Sequence, residues 1–131
     1  EYVAVVNGIP NDLKATVVAP IKRKVDGEIL RCVSDDGKEA ITIYELIEKT
    51  DRLSLLRLLP ITGRTHQLRV HMSYIGHPIY GDRMYGAGQL KERTRLHCNK
   101  IIFTHPATEE EVCFVAKVPE DFNELIITKN I

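Results

Sequence analysis

Around Pro60 the hydrophobic pattern of this sequence changes period, and that switch does most to limit what the chain can fold into. Upstream of it, Ile41, Ile43 and Tyr44 lie in a β-rich run that reaches Lys49. Thr50-Asp51 supplies a turn, and Leu53 to Leu59 is a second apolar run stopped by Pro60. Two such runs with a short connection predict an antiparallel hairpin. Downstream, Thr65 to Ile75 takes helical spacing and ends in Gly76 and then Pro78, the usual order of helix stop signals. Strands feeding a helix in this way predict a mixed α+β domain dominated by antiparallel strands.

The flanks extend that reading. Tyr2 to Val6 is β-branched and apolar and runs into Asn7-Gly8, a strand entering a turn. Residues 9–38, broken by Pro10, Pro20, Gly27 and Gly37, predict short strands and loops. Gln89 to Leu96 has room for a helical turn. Ile101 to Thr104 and Val112 to Val118 predict a second hairpin around Pro106–Glu109, and Pro119 to Leu125 a short closing helix with Pro119 at its start. A length of 131 residues suits one compact domain, and 44% hydrophobic with 27% charged residues excludes global disorder. No apolar run approaches the roughly 20 residues of a membrane span. Cys32, Cys98 and Cys113, an odd set without CxxC, fit a reducing, cytoplasmic setting better than a disulfide framework. A beginning at Glu1-Tyr2-Val3, without Met, predicts a piece of a longer chain.

The formal net charge is zero, but the sum hides a partition. Between Arg52 and His105 there are nine basic residues against the two acids Asp82 and Glu92, and all five histidines fall in the same window. The excess of seven positive charges there is balanced by acidic flanks. A cationic middle on a neutral body predicts a phosphate-binding face. The bland alternative is a surface with chance clustering.

Within that window, a helical wheel at 100° per residue sets Leu68 and Ile75 on one face, flanked by Met72 and Tyr74. Arg64 and His71 project into the same arc, whereas His66, Arg69 and Ser73 point away. An arginine on the inward face at a helix N-terminus must leave water and meets the positive end of the helix dipole. Such a guanidinium persists when a carboxylate or phosphate awaits it in bidentate geometry. The competing reading lets Arg64 snorkel out to solvent from the first turn. Asp82, in a turn beside Arg83, reads as a structural carboxylate rather than a nucleophile.

Several motifs together resemble a known family. Arg57-Leu58 followed by Thr62-Gly63-Arg64-Thr65-His66-Gln67-Leu68-Arg69 resembles a motif of the RluA-like pseudouridine synthases. Gly76-His77-Pro78-Ile79 with Gly81-Asp82 and Tyr85-Gly86 is similar to that family's next segment. Leu96-His97-Cys98, Phe103-Thr104-His105-Pro106 and Pro119-Glu120-Asp121-Phe122 resemble its C-terminal hairpin and closing helix. Tyr2-x-Ala4-x-Val6-x-Gly8 resembles its tyrosine motif. The resemblance covers nearly the whole chain and is weakest between residues 9 and 50.

The resemblance implies isomerisation of uridine to pseudouridine in ribosomal or transfer RNA, without metal or organic cofactor. It also implies a catalytic aspartate in a His-Arg-Leu-Asp motif upstream of the tyrosine motif, and no such motif occurs in the 131 residues. Residues 1–131 are then expected to be the C-terminal portion of one catalytic domain, inactive alone. By the same resemblance Arg64 pairs with that aspartate and keeps it ionised. Tyr2 stacks on the target base and assists proton movement, and Leu68 packs near the base. The target nucleotide is expected to be extruded from its stack, with Arg69, His66 and Arg83 on RNA, and Arg93 and Arg95 near flanking phosphates.

Other readings are weaker or belong to another class. The five histidines contain no HxxxH or HxxEH pair, so no metal is expected. No GxSxG elbow is present for a serine hydrolase. Cys98 and Cys113 are candidates to face each other across the second hairpin. A non-catalytic RNA-binding module, keeping the basic face without a nucleophile, is the main alternative. Finally, if half a sheet is missing, Tyr2–Val6 becomes an unpaired edge and the isolated chain is expected to self-associate.

Overall fold

The structure is a computed structural model that describes residues 1–86 and 92–131. The sequence-predicted hairpin forms as β5 (Ile41–Lys49) and β6 (Leu53–Pro60), and it is the centre of a five-stranded antiparallel sheet. Besides these it contains β1 (Tyr2–Asn7), β2 (Lys14–Val18) and β7 (Leu96–Cys98), in the order β2-β5-β6-β1-β7. Two further hairpins stand apart: β3 (Ile21–Arg23) with β4 (Arg31–Val33), and β8 (Lys100–Thr104) with β9 (Glu111–Val115). The helices are α1 (Gln67–Tyr74) and α2 (Glu120–Asn123). The expected mixed α+β class with a mostly antiparallel sheet is what is found.

Strand β1 corrects one expectation. It is not an edge: Tyr2 pairs with Leu58 of β6 on one side and with Cys98 of β7 on the other. Where β7 ends, the pairing is continued by Val5 N–H to the Arg95 carbonyl (3.0 Å), Tyr80 N–H to the Val5 carbonyl (2.8 Å) and Asn7 N–H to the Pro78 carbonyl (2.9 Å). The reason given for self-association through Tyr2–Val6 therefore falls away. Burial on both faces also explains why Val3, Ala4, Val5 and Val6 are all apolar rather than alternating. Tyr2, Ala4 and Val6 pack toward Leu68 and Met72 of α1, while Val3 and Val5 pack toward Phe122 and Ile126.

Helix α1 is shorter than predicted. It starts at Gln67 because His66 is left-handed (φ 56°), so the turn expected from Thr65 never winds. Its end is as predicted: Ile75 is the cap, Gly76 follows at φ 87°, and His77 N–H reaches the Met72 carbonyl at 2.9 Å. Leu68, Met72 and His71 are buried as the wheel implied, but Tyr74 is exposed and Val70 is buried against Ile21 and Ala40. The closing helix contracts to one turn, which cannot hold itself together; fully buried Phe122 anchors it to the sheet. Cys98 and Cys113 do not face each other, since Cys98 pairs with Tyr2 and Cys113 with Ile102. Of the suggested helical turn at Gln89–Leu96, Gln89–Lys91 lies outside the described residues, and Leu96 begins β7. Among the described residues, no helix is long and apolar enough to cross a membrane.

Candidate active site

At the Tyr2 end of β1 the sheet and α1 diverge, and a groove of about 310 Å³ opens between them. Tyr2, Arg64, His66, Leu68, Arg69 and Leu96 are among its walls. Three elements distant in sequence thus bring the three expected catalytic positions, Tyr2, Arg64 and Leu68, to one place. Leu68 is almost fully buried, and Tyr2 is half-buried with its hydroxyl pKa pushed up by burial and by the neighbouring Cys98 thiol. Tyr2 is therefore a neutral phenol near neutral pH, with an apolar face and a polar tip.

Arg64 differs from its expected setting. It sits in the loop before α1, three residues ahead of the first helical residue, and is half-buried rather than interior. Its Nε donates to the Glu39 carbonyl at 2.8 Å. Among the described residues no carboxylate is ion-paired with it, so most of its donor fork is uncommitted.

The loop that carries Arg64 is fixed from below by a polar chain that sequence reasoning missed. Gln67, almost fully buried, accepts the Arg64 N–H at 3.0 Å and the Thr62 hydroxyl at 2.7 Å through Oε1. Its Nε2 donates to the Ile41 carbonyl at 2.9 Å and to Thr42 Oγ1 at 3.0 Å. The Thr62 hydroxyl oxygen in turn accepts the Ile41 N–H at 2.9 Å. Thr42 Oγ1 lies 2.7 Å from His71 Nδ1, and His71 Nε2 lies 2.9 Å from the Ala19 carbonyl. A carbonyl can only accept, so Nε2 carries the hydrogen and Nδ1 accepts from Thr42. Burial pushes the His71 pKa down, which keeps this tautomer neutral. Every member is satisfied, and such a closed network holds one geometry. The Thr-x-x-x-x-Gln spacing of Thr62 and Gln67 was the available signal.

Beneath the groove, Arg69 is committed elsewhere than expected. Its Nε and Nη2 donate to the two carboxylate oxygens of fully buried Asp82, at 2.9 and 2.8 Å. Burial alone would raise the Asp82 pKa, but Arg69 and the N–H groups of Met84 and Tyr85 override it and hold it below the ordinary carboxylate range. Asp82 is structural, as the sequence implied, with Arg69 as its bidentate partner. Gly81 makes this possible: at φ 83° a Cβ there would lie 2.3 Å from the Arg93 carbonyl oxygen. The turn delivers Tyr85, whose ring lies under the Arg69 guanidinium at 5.2 Å and whose hydroxyl is 2.7 Å from His66 Nδ1. Burial first, then Arg69 and Arg31, lower the His66 pKa. Arg83 is exposed in the same turn and does not line the groove.

The comparisons with known proteins address the same residues. The RNA pseudouridylate synthase family profile matches residues 1–74, a span that includes Tyr2, Arg64 and Leu68. The chain belongs to this family. It is 44% identical over 131 residues to the uncharacterized RNA pseudouridine synthase YjbO of Bacillus subtilis, covering 98% of this chain and 46% of that protein. It is 38% identical over 133 residues to ribosomal large subunit pseudouridine synthase C of Vibrio vulnificus, covering 95% and 42% respectively. The solved structure of human RNA pseudouridylate synthase domain containing 1 superposes with a TM-score of 0.80 at 28% identity, covering 95% of this chain and 57% of that one. The chain thus spans less than half the length of these curated relatives. The RluA-like resemblance drawn from the motifs agrees with all three.

Against the cationic face expected from the sequence, the charge distribution is different. Arg93 donates to both carboxylate oxygens of Asp121, at 2.7 and 2.6 Å. Arg95 is buried, pairs with Glu92 at 3.1 Å and with Asp121 at 3.7 Å, and lies over the Tyr80 ring. Arg57 pairs with Glu1 and Glu45. Together with Arg69, these cations of the central window are paired with the chain's own carboxylates, so Arg93, although exposed, and buried Arg95 both brace the C-terminal turn. A larger cationic concavity comes instead mostly from the flank that the sequence count made acidic. Lys22, Arg23, Lys24, Arg31, Lys38 and Arg64 are among the walls of a cleft of about 890 Å³ beside the groove. The run Ile21-Lys22-Arg23-Lys24 was its sequence signal, diluted by Asp26, Glu28, Asp35 and Asp36.

Proposed function

We propose that the whole protein isomerises uridine to pseudouridine in RNA, and that the groove between Tyr2, Arg64 and Leu68 receives the target base. The observation that carries this reading is the Arg64 guanidinium: rigidly placed by Gln67 and Glu39, it has no ion-paired carboxylate among the described residues and opens onto the groove. An acid supplied by residues outside this chain, the family's aspartate, fits that position. Pairing with Arg64 would keep it ionised for attack. The reaction breaks the N1–C1′ glycosidic bond, turns the uracil and forms C5–C1′. The proton lost from C5 is balanced by one gained at N1, so no net oxidation occurs and no redox cofactor is needed. Tyr2, as a neutral phenol, offers a stacking face to the base and a hydroxyl for proton movement. Leu68 packs against the base edge and helps to exclude water. His66 is the groove residue best placed to meet RNA, while Arg69 braces the floor.

Ribosomal RNA is the favoured substrate, in a cytoplasmic setting, because relatives of this chain bear ribosomal large subunit names. Tritium release from RNA labelled at uridine C5 tests the reading. The full-length protein should release label and the 131-residue chain alone should not. In the full-length protein, Arg64→Met is expected to abolish release while weakening RNA binding only a few-fold, as loss of one cation allows. Label release at the normal rate by that variant would refute the ion-pair role of Arg64.

A further inference from the structure

The cleft beside the groove is built as deliberately as the groove itself. Hairpin β3–β4 is pinned to the body by Ile21, packed among Ala40 and Val70, and by the Arg31 N–H, which the Tyr85 hydroxyl accepts at 3.1 Å. That same hydroxyl touches His66, so one phenol anchors a wall of each cavity. Among the described residues, the only ion pair inside the cleft is Lys22 with Asp36 at 2.9 Å. Lys24, Arg31 and Lys38 line the same cleft without an ion-paired carboxylate among the described residues, Asp26 being the other acid in its wall, and Arg31 Nη1 donates to the Glu28 and Ile29 carbonyls. Like charges gathered in one concavity raise the local potential and attract polyanions. Among the described residues no aromatic side chain lines the cleft, so they offer no platform on which a base could stack. Gly63 and Arg64 line both cavities and form the partition between them. A Cβ at Gly63 would meet nothing within 4 Å, which leaves the partition low and open.

We infer that this cleft is a phosphate track. It holds backbone phosphates of the RNA strand adjoining the nucleotide whose base enters the groove, and the strand crosses at Gly63. The inference rests on the proposed RNA substrate and adds where, and through which groups, the flanking strand is gripped. Contacts of this kind position the strand without reading its sequence.

Salt dependence of binding measures it. Full-length protein is titrated with a fluorescent 12-nucleotide oligouridylate at several KCl concentrations. Each cation that displaces a counterion from a single strand contributes about 0.7 to the slope of log K against log salt. The exposed pair Lys24→Gln/Lys38→Gln should therefore flatten the slope by about 1.4 and weaken binding about 25-fold near 0.1 M salt. Lys49→Gln/Lys129→Gln, which removes equal charge from the far end of β5 and the C-terminal tail, should leave both unchanged. An unaltered slope in the first variant, or an equal loss in both, overturns the track. Tritium release by the unsubstituted protein separates this from the enzyme reading. Turnover with an unaltered slope sinks the track alone, whereas a cleft-specific slope without turnover sinks the enzyme reading and leaves the track.

Discussion

Asp82→Asn probes the floor on which both cavities rest. The wild-type carboxylate is fully buried and doubly bonded to Arg69, whose side chain keeps 22% of its surface in water. Removing one partner of a buried ion pair costs about 3–5 kcal/mol, mostly because the other charge is stranded. Asn keeps an oxygen for the Met84 and Tyr85 N–H groups, and Arg69 can partly rehydrate, so the low end, about 3 kcal/mol, is expected. With about 2.1 cal/mol/K of unfolding entropy per residue, 131 residues give about 0.28 kcal/mol/K, and Tm should fall by about 11 °C. Adding Arg69→Met removes the stranded charge and should restore about half of that loss. The pH dependence follows from the lowered Asp82 pKa. Its stabilisation is complete above the unfolded carboxyl value of about 3.9 and disappears as pH falls through the lower folded value. The gap between wild type and Asp82→Asn should therefore close in strong acid. Circular dichroism melts across pH supply the measurement; a Tm drop under 3 °C at pH 7, or a double variant as unstable as the two losses summed, would refute the account.

Two further outcomes concern the polar chain. In the full-length protein, Gln67→Leu frees the Arg64 loop without touching phosphate, so single-turnover rate should fall at least tenfold while RNA affinity stays within threefold; a parallel loss of affinity would contradict this positioning role. His71 is neutral in the fold with its pKa pushed down, so the unfolded chain binds more protons. Stability present above about pH 6.5 should decline as pH drops toward 5, and His71→Gln should flatten that decline in thermal melts; an unchanged pH profile in the variant would assign the loss to other groups.

What the sequence disclosed was local. The β5–β6 hairpin, the Gly76 stop and the convergence of Tyr2, Arg64 and Leu68 were legible because period, punctuation and motif reside in short windows. The helix start was not, since His66 takes a left-handed conformation that costs about 1–2 kcal/mol and is offset by its tertiary bond to Tyr85. The internal pairing of Arg69 and Arg95 was missed for a related reason. A wheel or a charge window shows which residues are cationic, but not which carboxylate the fold will set beside them. The cationic cleft was lost in the same way, averaged into an acidic flank until hairpin β3–β4 gathered its lysines and arginines onto one side.

The first strand of this chain is also its most enclosed, and that has a kinetic consequence. Tyr2 pairs with residue 58 and with residue 98. A ribosome therefore releases β1 long before either neighbour exists. The nascent strand, apolar on both sides, must wait until residue 98 has been made before it can be sandwiched. High contact order of this kind slows folding and lengthens exposure to aggregation, so the late insertion of β1 between β6 and β7 should be a slow step of folding.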